Sequence, residues 1–80
     1  MENINGISYQ FIIASDVDRN GIGVELYEIV NDTKIFRAEI FRNDSLKLVQ
    51  FVGTNSEMPL TALERLKEVF DSEIPTEYDC

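Results

Sequence analysis

The chain predicts an α+β fold: a four-stranded antiparallel β-meander with one C-terminal helix packed on one face. Three observations carry that prediction. Apolar residues alternate with period two along much of the chain, short polar clusters interrupt the alternation, and an apolar stripe at three-and-four spacing follows it. The 80 residues leave room for one core, and a chain of this size buries only about 60% of the surface its unfolded form exposes.

The first strand is "GISYQFIIAS". Ile7, Tyr9, Phe11 and Ile13 alternate with Ser8 and Gln10, and near its end Ile12 and Ala14 make the second face apolar too. The second is "GVELYEIV" (23–30), rich in β-branched and aromatic residues. Asn31-Asp32-Thr33 is a turn cluster whose side chains hydrogen-bond to nearby backbone. "KIFRAEIFR" (34–42) resumes the alternation with Phe36, Ala38 and Ile40 on one face. A tight turn at 42–45 leads to "LKLVQFV" (46–52), the fourth strand. Such short connections favour antiparallel neighbours.

"GTNSEMP" ends the strand pattern. Leu60, Leu63, Leu66, Lys67 and Phe70 then follow helical spacing, flanked by Ala62 and Val69. Pro59 suits a first helical turn, and Thr61 with Glu64 fits a capping box. Residues 1–74 are thus read as a single ββββα domain, and 75–80 as an acidic C-terminal tail.

One helix covers one sheet face, yet Ile12, Tyr27, Ile29, Ile35, Phe41, Val49 and Phe51 sit at the opposite parity. Apolar area left open on a small sheet marks an interface. Self-association or a protein partner is therefore expected, unless a strongly twisted sheet and the tail cover both faces.

Composition narrows the chemistry. There are 7 basic and 15 acidic residues, a net charge of −8, and no histidine. The usual general base and the usual zinc ligand are both missing. The basic residues are interleaved with acids, so the positive field that nucleic-acid binding requires is lacking, and anionic membranes are disfavoured too. A basic protein partner, such as a nuclease or nucleic-acid-binding protein, is the complementary choice. The first ten residues have no basic start and no apolar signal run, and no apolar stretch spans a bilayer, which predicts a cytoplasmic protein. No serine has a histidine to activate it, and no phosphate-binding glycine loop is present. Glu25, Glu28 and Glu39 can meet across strands opposite Arg37 or Lys34, and solvated cross-strand charge pairs are the simpler account of them. No enzymatic activity and no cofactor are predicted.

"DVDRNGIG" (16–23) imitates the front of a calcium loop. Asp16, Asp18 and Asn20 fall on positions one, three and five, and Gly21 on position six. Position twelve is Tyr27, which cannot supply the bidentate carboxylate, and the flanks read as strands rather than helices. A looser calcium site on Asp16, Asp18 and Asn20 is the alternative to a plain turn, in which Asp and Asn bond to backbone N–H groups. Arg19 places a cation in the middle, where an ion site wants none.

The stretches "SDVDRNGIGVELYE", "AEIFRND" and "MPLTALERLKEVF" resemble small bacterial proteins of strand-meander-plus-helix type with no assigned activity. The resemblance spans most of the chain and implies the same fold and a bacterial cytosolic origin. It carries over no site residues.

The expected function is a small acidic protein-binding module, an inhibitor or immunity-type protein, including a phage-encoded one, that occludes a partner's site. Asp71, Glu73, Glu77 and Asp79 would steer association, with Phe41 and Phe51 as apolar anchors. The alternative from another class is a scaffold or substrate for an enzyme that modifies the terminal Cys80.

Overall fold

Asn5 and Gly6 fold the chain back on itself almost at once. In the computed structural model, which describes residues 1–75, the elements are β1 (Glu2–Ile4), β2 (Ile7–Asp16), β3 (Gly21–Val30), β4 (Thr33–Asn43), β5 (Leu48–Gly53) and α1 (Leu60–Glu73). The fold is α+β, with an antiparallel sheet in the order β1-β2-β3-β4-β5 and one C-terminal helix. The expected four strands are therefore five. β1 has only three residues, too few to display an alternation. Its signal is the Asn5-Gly6 pair, whose positive φ angles of 52° and 83° make the two-residue turn that matches strand twist.

The other short turn repeats that device. Asn31 and Asp32, at φ 50° and 63°, close β3 onto β4, with Val30 opposite Thr33. The two longer turns share a different one. Asp16 Oδ1 accepts the Arg19 N–H at 3.1 Å and Asn43 Oδ1 accepts the Leu46 N–H at 2.9 Å. Each of these turns closes with a left-handed residue, Asn20 or Lys47. The fourth connection thus lies at 44–47, two residues later than expected, because β4 continues to Asn43. Both turns sit at one end of the sheet, where the Asp44 N–H donates to the Asn20 carbonyl at 2.9 Å.

α1 covers the middle of one sheet face. Ala62, Leu66 and Phe70, spaced one turn apart, and then Ile74 pack on Tyr9, Val24, Leu26, Ala38 and Ile40. Leu60, expected in that stripe, is exposed. It lies about 120° around the helix from Leu66 at 100° per residue, so the covered stripe cannot include both. Lys67 is also outside it, paired with Asp71 at 2.6 Å. The expected capping box does not form: Pro59 occupies the N-cap without a side-chain bond, and the Thr61 hydroxyl accepts from Asn5 instead. At the far end Arg42 leaves the sheet on the helix side. It pairs with Asp44 at 2.9 Å and donates to the Pro75 carbonyl at 2.8 Å, tying the chain after α1 to β4. No helix among the described residues is long and apolar enough to cross a membrane.

Leu66 is fully buried between α1 and the sheet. Leu66→Ala should lower stability by about 2–5 kcal/mol. A urea unfolding curve with an unchanged midpoint would place the core elsewhere.

Candidate functional site

The face of the sheet away from α1 carries Tyr27, Phe36 and Phe41, and long cations close over it. Phe36, expected to share a face with Ala38 and Ile40, is turned to this side by a register shift between Leu26 and Tyr27. Phe41 stands opposite Gly23 on β3. Its ring lies along β3: a Cβ on Gly21 would come within 2.7 Å of the ring, and one on Gly23 within 3.1 Å of it. Both glycines are therefore needed to make room, and neither has a left-handed backbone. Arg19, on the turn after β2, reaches back across the sheet and stacks 3.8 Å from the centre of that ring. Its guanidinium donates to both carboxylate oxygens of Glu39 at 3.0 Å, and its Nε to Asp16 Oδ2 at 2.6 Å.

That fork resolves a conflict built into the register. Glu25 and Glu39 are directly opposite each other on β3 and β4, where like charges repel. Arg19 neutralises Glu39, and Glu25 accepts the Tyr27 hydroxyl at 3.1 Å. Tyr27 in turn meets Phe36 edge-on at 5.8 Å and lies under Lys34 at 5.3 Å. Glu28, on the helix side, pairs with Arg37 at 3.0 Å. The candidate carboxylates are thus each held by a neighbour.

The 16–21 segment is a polar turn. Asp16 accepts the backbone N–H groups of Asp18 and Arg19 on one oxygen and Arg19 Nε on the other, so both carboxylate oxygens are engaged within the turn. Asn20 donates its amide to Ser45. Hydrogen bonds from Arg19 hold the Asp16 carboxyl below its ordinary value. The Arg19 guanidinium contacts Asp16 directly, so a cation bound at Asp16 would have to displace that ion pair. No group of three or more metal-ligating side chains comes together among the described residues.

The two aromatic anchors expected on one open face separate. Phe41 is fully buried beneath Arg19, which sequence parity gave no means of seeing. Phe51 stands opposite Ile40 and so belongs to the helix side, yet it is 60% exposed because α1 does not extend over β5. The remaining side chains of β5 complete that picture. Val49 shares the face of Phe51, while Leu48 and Val52 lie on the other, and all three are exposed. Gln50, between them, accepts the Asn43 amide at 3.0 Å. Among the described residues no strand pairs with the outer edge of β5.

Of the acids expected to steer association, Asp71 and Glu73 lie exposed at the end of α1, with Asp71 bound to Lys67. Glu77, Asp79 and Cys80 lie outside the described residues. Tyr9 is a buried residue that the alternation placed in the core without indicating its isolation. Its hydroxyl has no hydrogen-bond partner among the described residues, and burial raises its pKa.

Compared with protein-family models, curated proteins and solved structures, the chain matches none.

Two outcomes test the packed face. Gly23→Ala sets a methyl against the backbone and ring of Phe41 and should cost about 1–3 kcal/mol; a stability gain would mean that the strands part freely there. The Asp16 carboxylate has a lowered folded pKa, so its contribution is present above 3.8 and is lost as pH falls below that value. Asp16→Asn keeps an oxygen for the turn but removes the charge. The gap in urea midpoint between wild type and Asp16→Asn should close as pH falls through that window; a constant gap would show that the ion pair contributes nothing.

Proposed function

We propose that the protein is a non-enzymatic protein-binding module whose contact surface is the edge strand β5. The observation that carries this reading is a conjunction at one place. Among the described residues the outer backbone edge of β5 is unpaired; the strand exposes Leu48, Val49, Phe51 and Val52 and carries no charged residue from Leu48 to Gly53. Edge strands are ordinarily blunted by lysine, proline, bulges or a covering element. In a chain where 28% of the residues are charged, a bare strand of this kind is the place where apolar area remains to be covered.

Association through such an edge uses backbone hydrogen bonds for affinity and alternate side chains for selection. Phe51 is the anchor of this surface, and Phe41 takes no direct part in it. The net charge of −8, including Asp71 and Glu73 on the helix, gives long-range steering towards basic surfaces and away from acidic ones. Glu39 and Asp16, held by Arg19, are occupied as structural ions.

The test compares two well-exposed apolar residues. Phe51→Lys should weaken any association of this chain, with itself or with another protein, at least tenfold in a quantitative binding assay. Leu60→Lys, on the exposed side of α1, should leave it unchanged. Equal binding by wild type and Phe51→Lys would remove β5 from the contact surface.

A further inference from the structure

The pattern of β5 reads almost the same in both directions about Gln50: Leu-Val-Gln-Phe-Val, with apolar residues at matched distances on either side. We infer that β5 pairs antiparallel with β5 of a second copy of this chain, about a two-fold axis passing at Gln50. This rests on the reading of β5 as a contact strand and names its partner.

Residues directly opposite in an antiparallel pair share a face of the sheet. An axis at Gln50 therefore sets Val49 against the second copy's Phe51, twice, on the helix side. It sets Leu48 against the second copy's Val52, twice, on the other side. Aromatic–β-branched and apolar cross-strand pairs are favourable, and here every exposed apolar side chain of the strand receives one. Moving the axis to Phe51 places Gln50 against Val52 and Val49 against Gly53, which wastes both valines. The side-chain pattern thus selects one register.

Net charge opposes this occupant at long range, but the contact itself carries no charge to repel it. No residue from Leu48 to Ser56 is charged, so two copies of net charge −8 meet where neither presents a carboxylate. The sheet's other free edge is formed by the three residues of β1 and then, for most of its length, by β2 beyond Tyr9, since β1 pairs only with Ile7, Ser8 and Tyr9. It exposes one large apolar residue, Ile13, and runs into Asp16 and Asp18. A β5-to-β2 contact would also be heterologous, leaving each copy with a free edge until a ring or filament forms, whereas the β5 pair closes after two copies. The joined sheet has ten strands, five from each chain, near the usual upper size of an open twisted sheet. Four partly exposed side chains and one strand edge make a contact smaller than the ~800 Å² per partner of a standard interface. A reversible, concentration-dependent dimer follows.

Sedimentation equilibrium of the full chain over a micromolar-to-millimolar series tests this. Wild type should pass from the 9.2 kDa chain mass to twice that value. Phe51→Lys and Val49→Lys should each raise the midpoint concentration at least tenfold with unchanged circular dichroism, and Ile13→Lys should not raise it. Added salt should leave the wild-type dimer unchanged or tighten it, because it screens repulsion between two acidic chains. In a Cys80→Ser background, Gln50→Cys should oxidise to a covalent dimer and Leu60→Cys should not. A monomer across the whole series, or a dimer indifferent to both β5 variants, overturns the pairing. If the chain is monomeric yet captures another protein in a Phe51-dependent way, the second copy is excluded while β5 stands as the contact strand. If no association of any kind responds to Phe51→Lys, both readings fall.

Discussion

The open face of the sheet depends on the Phe41 ring lying flat along β3. A ring in that position needs the side chains beneath it removed, and Gly21 and Gly23 remove them. It also needs a cover, since α1 occupies the other face, and Arg19 provides one at 3.8 Å. The cover is fixed only because both ends of the guanidinium are engaged, by Glu39 across the sheet and by Asp16 within its own turn. Glu39 can in turn sit opposite Glu25 only with that cation present. A single aromatic packing choice therefore accounts for two glycines, one arginine, one buried acid and the conformation of the β2–β3 turn. A second layer of secondary structure is not required, because the stems and heads of long cations shield apolar rings.

The parts of this arrangement legible in the sequence are the local ones. Period-two alternation located four strands, and the helical stripe located α1, since each pattern repeats over several residues. The Asp-rich turn was legible as a turn because Asp and Asn bond to neighbouring backbone. β1 was missed although Asn5-Gly6 marks it, for three residues show no period. What could not be read is where a turn residue reaches. Arg19 meets Glu39 twenty positions away, and that depends on register, which alternation leaves open by two-residue steps. The same limit explains the aromatic anchors. Phe41 and Phe51 both looked spare by parity, but the strands that carry them run antiparallel and the pairing Ile40–Phe51 puts them on opposite faces.

Burial across the sheet is correspondingly uneven. β4 from Ala38 to Asn43 is buried on both faces, under α1 on one and under the Arg19 stack on the other. One strand further out, neither cover reaches, and β5 is exposed except at Gln50. The difference comes from dimensions. A single helix about 10 Å wide spans roughly two strands at their ~4.8 Å spacing, and α1 is centred on β3 and β4. The fifth strand is held by its ladder to β4 more than by side-chain packing, so its apolar residues add little to the stability of the isolated chain.

That separation has a consequence for how such a chain can associate. When the residues that hold a fold together also form its interface, binding and stability change in step. Here the stabilising contacts centre on Leu66, Phe70 and the Phe41 stack, while the exposed apolar area sits on β5. The acidic charge is carried elsewhere, and none of it lies between Leu48 and Ser56. Long-range repulsion between copies and short-range apolar attraction are thus set by different residues. Their balance depends on ionic strength, because interactions between exposed charges are screened beyond a Debye length of about 8 Å at physiological salt. At low salt repulsion between like-charged chains opposes the pairing of uncharged edges; at higher salt it fades, and the contact at β5 is decided by side-chain complementarity alone.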